Sequence, residues 1–236
     1  GLGDVYKRQP EHMARRVVET NSDLGAALDG DGDRLILADH KGNIINGDAI
    51  LLMCARRLKR ENRLPGPGVV ATVMSNLALE KRLEAEGIRL CRTQVGDKYV
   101  SEEMSRQGLP LGGEQSGHII FAEHAPTGDG LLTLLQVLRV MALEGRSLAE
   151  LALLEPFPQI LLNIRVKDKP EIVTVPEIAQ VVELAEQRLK GRGRVLIRYS
   201  GTEPLLRIMM EGPDEAEILE LSNSIGDAAR RTIGDS

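Results

Sequence analysis

The sequence predicts an α/β fold built in successive modules and closed by a small α+β C-terminal domain, and three observations carry this. Between Val69 and Gln107 apolar runs and helical stripes alternate in the order strand, helix, strand, helix, which favours parallel strands covered by helices. From Gln159 the order becomes strand, helix, strand, strand, helix, which suits a two-layer α+β domain. Pro65-Gly66-Pro67-Gly68 and the pair Pro156 and Pro158 lie between these blocks, and proline neither continues a helix nor enters a sheet interior. The expected division is a leader at 1–9, a first α/β module at 10–64, a second at 65–156 and the α+β domain at 157–236.

Each element has a local reason. Pro10 opens a helix over 11–20 with Met13, Val17 and Val18 on one face. Short apolar runs at 24–28 and 35–38 read as strands on either side of Asp29-Gly30-Asp31-Gly32-Asp33-Arg34. Residues 48–61 read as a helix with Ile50, Leu51, Met53, Cys54 and Leu58 inward, and Arg56, Arg57, Lys59 and Arg60 on a solvated face. Strands at 69–73 and 88–92 alternate with helices at 76–86 and 97–107, and Gly87 and Gly108 stand at the helix ends. Residues 111–117 interrupt the alternation before a short strand at 118–121. Thr127-Gly128-Asp129 caps a helix over 130–143 with an apolar stripe of Leu131, Leu134, Leu135, Leu138 and Met141. A short helix at 147–154 ends the module. The C-terminal domain follows as strands 159–166, 194–199 and 205–211 with helices 176–189 and 214–230.

Composition narrows the function. With 42% hydrophobic residues but only 2% aromatics and no Trp, aliphatic side chains must fill the core, and the aromatic platforms of single-strand nucleic-acid binders are lacking. A net charge of −5 and a pI near 5.5 leave only local basic sites for phosphate, so no nucleic-acid partner is expected. Cys54 and Cys91 lack partners at metal-ligand spacing and read as reduced packing residues. No apolar run approaches membrane-spanning length, so no membrane partner and a cytoplasmic setting are expected.

Three loops gather chemistry. Asp29, Asp31 and Asp33 alternate with glycines that let the backbone curl, so their oxygens can converge on a hard cation with room left for water or phosphate, as Mg²⁺ prefers; a solvated Asp/Gly turn is the other reading. Gly112-Gly113-Glu114-Gln115-Ser116-Gly117-His118 offers a carboxylate, an amide, a hydroxyl and an imidazole for a polyol, or is an ordinary glycine-rich turn whose His118 packs in the core. Arg198-Tyr199-Ser200-Gly201-Thr202-Glu203-Pro204, with Arg207 beyond it, has the parts of a phosphate cradle, or is a polar hairpin. Three such loops on separate modules imply a cleft between domains.

The stretches DLGAALDGDGDR, VVATVMSN, VGDKYV, GGEQSGH, TGDGLLT and SGTEPLLRIMMEG follow one another in this order. On these motifs the chain resembles the α-D-phosphohexomutases, and within them the phosphoglucosamine mutase branch. The resemblance implies phosphohexomutase-type α/β domains, one partial and one complete, before the α+β domain. It also implies a phosphosugar substrate, with glucosamine 6-phosphate and glucosamine 1-phosphate interconverted through an enzyme phosphoserine for UDP-N-acetylglucosamine and cell-wall precursor synthesis. Asp29, Asp31 and Asp33 would hold Mg²⁺, with Arg34 supporting catalysis. Glu114, Ser116 and His118 would contact the sugar, and Arg198, Ser200, Gly201, Thr202 and Arg207 the non-reacting phosphate. The family's nucleophilic serine precedes a histidine, and no Ser-His pair occurs in these residues, so the chain alone is expected not to turn over. Gln94 and Lys98 stand where relatives often have lysine and arginine. Phosphomannomutase or phosphoglucomutase chemistry, and a non-catalytic phosphosugar-binding module, are the competing expectations.

Overall fold

The computed structural model describes residues 2–66 and 68–235, the side chains of 2–9 excepted. The chain divides into two compact units, Gly1–Glu155 and Pro156–Ser236.

The first unit opens with α1 (Leu2–Glu19), followed by the antiparallel strands β1 (Leu24–Leu28), β2 (Leu35–Asp39) and β3 (Ile44–Ile45). Then come α2 (Gly47–Arg60), β4 (Gly68–Thr72), α3 (Leu77–Ala85), β5 (Arg89–Thr93) and α4 (Asp97–Gln107), and after these β6 (Leu111–Gly113), β7 (Ile119–Phe121), α5 (Gly130–Glu144) and α6 (Leu148–Leu151). The second sheet runs β5-β4-β6-β7, parallel from β5 to β6 and antiparallel at β7. The predicted βαβ alternation is therefore present, with β6 as a short third strand in the stretch read as a break. Three residues are too few for periodicity to register, and the pairing with β4 is what makes them a strand.

Other expectations change. Helix α1 starts at Leu2, with Pro10 inside it; a proline removes one donor but need not end a helix whose neighbours continue it. Of the 1–9 leader, residues 2–9 are thus helical in backbone, and their side chains lie outside the described residues. The linker at 65–68 does not divide compact units. Helix α2 is buried from Gly47 through Ala55, and Leu35, Leu37, Ile50 and Leu51 share one core with Val69, Ala71, Leu79, Leu111 and Val137. Proline and glycine make a tight connection as readily as a boundary, and the decision rests with the surfaces on either side. In α5, Leu134 and Met141 pack on the core, but Leu131, Leu135 and Leu138 are 57%, 55% and 40% exposed. This helix is apolar nearly all round, so its composition does not say which face turns inward; Thr133, Val137 and Val140 do. Asp129 caps it as predicted, accepting from the Leu132 N–H at 2.9 Å.

The second unit contains β8 (Gln159–Arg165), a 3₁₀ turn (Ile172–Thr174), α7 (Pro176–Leu189), β9 (Arg194–Tyr199), β10 (Leu205–Glu211) and α8 (Glu215–Thr232). Its antiparallel sheet runs β8-β10-β9, and α7 and α8 cover it over a core of Ile164, Ile178, Leu206, Ile208, Ile218 and Ile225. Cys54 and Cys91 are free and buried, and burial pushes the Cys54 thiol up to about 12. Among the described residues no helix is long and apolar enough to cross a membrane.

Candidate functional site

The acidic loop is the connection of the β1–β2 hairpin, whose last rung pairs Leu28 with Leu35. Gly32 takes φ +75°, a left-handed conformation that glycine adopts without strain. The backbone thereby turns back, and Asp29, Asp31 and Asp33 each bring an oxygen within 4.8 Å of the others. The Arg34 N–H donates to Asp29 Oδ1 at 3.2 Å, and the Arg34 Nε lies 3.7 Å from Asp29 and 3.9 Å from Asp33, too far for hydrogen bonds. Burial raises the Asp29 carboxyl, but the Arg34 N–H, the Asp33 side chain and the Arg34 charge outweigh it and hold it below the usual carboxylate range. Asp33 moves the opposite way, raised by burial and by Asp29 against the pull of His118. Asp33 Oδ1 is buried without a hydrogen-bond partner. A crowded carboxylate cluster with an orphaned buried oxygen fits a hard divalent cation.

The sugar-loop candidate docks directly on this hairpin. The Leu35 N–H donates to Gly117 O at 3.1 Å, and Arg34 and His118 form a β-bridge. Gly117 has φ +97°, and a Cβ there would overlap the Leu35 carbonyl. His118 is only 3% exposed. Its Nε2 accepts the Gly128 N–H at 3.1 Å, so the proton sits on Nδ1, which donates to Asp33 Oδ2 at 3.0 Å. Both ring nitrogens are thus committed. His118, expected at the sugar, is tied by burial and these two bonds between the metal-loop candidate and the segment entering α5. Glu114 and Ser116 lie toward the surface, Ser116 Oγ donating to Glu114 Oε2 at 3.2 Å. A hollow of about 260 Å³ joins Ser116 to Asp29 and Arg34, with Leu28, Ile36 and Ile44 among its walls. A larger one, about 740 Å³, opens by Asp23, His40 and Arg146, away from these loops.

Sequence reasoning missed Gly96, whose N–H donates to Glu114 Oε1 at 3.0 Å. Its φ of +134° marks a glycine-only conformation, and the VGDKYV motif held the signal. Gln94, in the same loop, and Lys98, in the first turn of α4, are exposed.

In the second unit the 200–204 loop joins β9 to β10, and the register sets Arg198 directly opposite Arg207. Like charges directly across a ladder repel unless an anion or carboxylate lies between them. Glu203 pairs with Arg207 at 2.9 Å, and Arg207 Nε is buried without a hydrogen-bond partner. Ser200 is buried, its Oγ accepting the Glu203 N–H at 3.3 Å, while Gly201 and Thr202 are exposed. Lys169 donates to Ser200 O at 2.6 Å; 31 residues upstream, it carried no sequence signal for the loop.

Comparisons with known proteins place the chain in a family. Residues 46–157 match the family model "Phosphoglucomutase/phosphomannomutase, alpha/beta/alpha domain III", and residues 161–228 match "Phosphoglucomutase/phosphomannomutase, C-terminal domain". The chain is 51% identical over 232 residues to a phosphoglucosamine mutase of Geobacter sp. strain M21, covering 98% of this chain and 51% of the relative. It is 48% identical over 227 residues to that of Lawsonia intracellularis, covering 96% and 50%. The chain thus spans about half the length of the curated relatives it matches. Among solved structures, a phosphoglucomutase/phosphomannomutase family protein from Burkholderia thailandensis shares the fold with a TM-score of 0.72 at 22% identity, over 95% of this chain and 50% of that one. Aspergillus fumigatus N-acetylphosphoglucosamine mutase, in complex with GlcNAc-6P and magnesium, does so with a TM-score of 0.70 at 22% identity, over 87% and 48%. With two consecutive domain models matched in order across most of its length, the chain belongs to the phosphoglucomutase/phosphomannomutase family.

Proposed function

We propose that this chain carries the metal-, sugar- and phosphate-binding residues of a phosphoglucosamine mutase, which interconverts glucosamine 6-phosphate and glucosamine 1-phosphate in the cytoplasm. The observation that carries the reading is the convergence of Asp29, Asp31 and Asp33 beside a loop bearing Glu114 and Ser116. Identity near 50% to phosphoglucosamine mutases over almost all of the chain supports the choice of sugar.

Asp29, Asp31 and Asp33 would hold Mg²⁺, which when bound neutralises charge on a phosphoryl group in transfer. Arg34, on the same hairpin, adds a positive charge to that phosphoryl group. Glu114 accepts from a sugar hydroxyl while Ser116 donates or accepts at its neighbour, a pair suited to a ring presented in either of two orientations. Arg198 and Arg207, with Ser200, Gly201 and Thr202, grip the phosphate that does not react.

Calorimetric titration tests the reading. MgCl₂ is expected to bind the chain, and Asp31→Asn to weaken it about ten-fold or more, since one of three charged ligands is lost. Glucosamine 6-phosphate is expected to bind, and Arg198→Ala to weaken it by about ten-fold. Absence of Mg²⁺ binding by the wild-type chain would sink the metal assignment. The family models that match are named for phosphoglucomutase and phosphomannomutase, which favours one second reading. Tighter binding of glucose 6-phosphate or mannose 6-phosphate than of glucosamine 6-phosphate would establish it.

A further inference from the structure

Asp48 is a buried carboxylate that the proposed chemistry does not use. It lies in the first turn of α2, where an acid favours the helix dipole from an exposed position just as well, yet it is 1% exposed. Burying a carboxylate is costly unless hydrogen bonds answer it, and here donors from two distant segments do so. The Asn76 N–H donates to Asp48 Oδ2 at 2.8 Å, and the Gln115 side-chain amide donates to the same oxygen at 3.2 Å. The neighbouring Gly47 N–H donates to Gln115 O at 3.0 Å, and any Cβ on Gly47 would overlap the Glu114 carbonyl. Gln115 is therefore held at its backbone by Gly47 and at its side chain by Asp48, while Glu114 and Ser116 on either side stay toward the surface.

The other end of the arrangement is also hydrogen-bonded in place. Asn76 caps α3 by accepting from the Ala78 N–H at 2.9 Å, and Arg92 donates to Ser75 O at 2.9 Å and Thr72 O at 3.3 Å. We infer that Asp48 is a positioning residue, which holds the 114–116 loop in its sugar-reading shape through the side chain of Gln115. The inference rests on the proposed sugar role of Glu114 and Ser116. Burial pushes the Asp48 carboxyl above the usual carboxylate range, against the Asn76 N–H, Ser75, Gln115 and Arg92, as befits a group held for its geometry.

Amide hydrogen exchange in the ligand-free chain reads the loop directly at Glu114 and Gly117, whose N–H groups bond to His118 O and Glu114 O. Asp48→Ala removes the acceptor, and Gln115→Met removes the donor at similar length. Each is expected to speed exchange at these two amides about ten-fold while α5 amides keep their rates. Asp48→Asn, which retains an oxygen for both donors, is expected to stay within about two-fold of wild type. The double variant Asp48→Ala with Gln115→Met is expected to exchange no faster than either single one, because both cut the same link. If Asp48→Ala does not fold, Gln115→Met carries the test alone. Loop exchange at the wild-type rate in Gln115→Met overturns the inference. Binding of glucosamine 6-phosphate to Gln115→Met is expected to fall about five- to ten-fold with Mg²⁺ affinity unchanged, and undiminished binding also overturns it. A wild-type chain with a protected loop that takes up no glucosamine 6-phosphate overturns the sugar assignment instead.

Discussion

Gly117 and His118 each do one thing that no other residue type could do in their place. Gly117 combines a positive φ with backbone contact against Leu35, so a methyl group meets both a strained conformation and a carbonyl oxygen. Gly117→Ala is expected to cost about 2–4 kcal/mol of unfolding free energy in urea, whereas Gly145→Ala, also at positive φ but in open space, is expected to cost about 1–2 kcal/mol. His118 links a carboxylate of the hairpin to the backbone that enters α5, and a glycine at 128 leaves room for its ring. The sequence showed a histidine at the head of an apolar strand and a glycine before a cap. Their contact needed the fold, because ten residues and a turn separate them.

Helices α2 and α5 are joined by charge as well as by packing. Glu61, just past the end of α2, accepts from Arg57 at 2.7 Å, Arg63 at 2.9 Å and Arg139 at 2.6 Å, and Glu144 meets Arg57 at 3.0 Å and Arg60 at 2.6 Å. Within the basic run on α2, Arg57 and Arg60 thus partner α5, whereas Arg56 and Lys59 meet Glu86 at the end of α3, and Lys59 and Arg60 remain exposed. Burial raises the Glu61 carboxyl, and the bonds from Arg57, Arg139 and Arg63 more than reverse this, bringing it to about 2 from an ordinary 4.5. A depressed folded value means that Glu61 stabilises the fold fully above about pH 4.5 and loses that contribution as the pH falls toward 2. The Tm difference between wild type and Glu61→Gln is therefore expected to be largest near pH 6 and to shrink steadily below pH 4.5; a difference that grows on acidification would contradict the network. Asp129→Ala, which removes the α5 cap, is expected to cost about 1 kcal/mol in urea titration. That cap was legible from Thr127-Gly128-Asp129 alone, because capping is local chemistry. The ion pairs were not, since Glu61 and Arg139 are far apart in the chain.

Each unit closes its own core, and in the first unit that core spans Pro65-Gly66-Pro67-Gly68. Leu51 has no solvent exposure and belongs to the same cluster as Leu35, Val69 and Leu111. Leu51→Ala is expected to cost about 2–5 kcal/mol and to raise hydrogen exchange in β2 and β4 together. A response confined to residues before Pro65 would restore the boundary read from the linker. Strand β2 pairs on both edges and buries Leu35 and Leu37 completely, which ties the 10–64 stretch into the same core.

Local chemistry was enough to read the α/β and α+β order, the caps, the glycine-permitted turns and the three loops, because periodicity, hydrogen-bonding side chains and positive φ are written into neighbouring residues. Three alternating aspartates offered a cation-site candidate, and the hairpin turn brings their oxygens together. Tertiary packing decided which face of α5 turns inward, placed both sides of the proline-glycine stretch in one core and set His118 against the Asp33 carboxylate. It also revealed Asp48 beneath the sugar-loop candidate. Each of these depends on what surface arrives from elsewhere in the chain, and burial and long-range hydrogen bonds leave no mark on the residues next door.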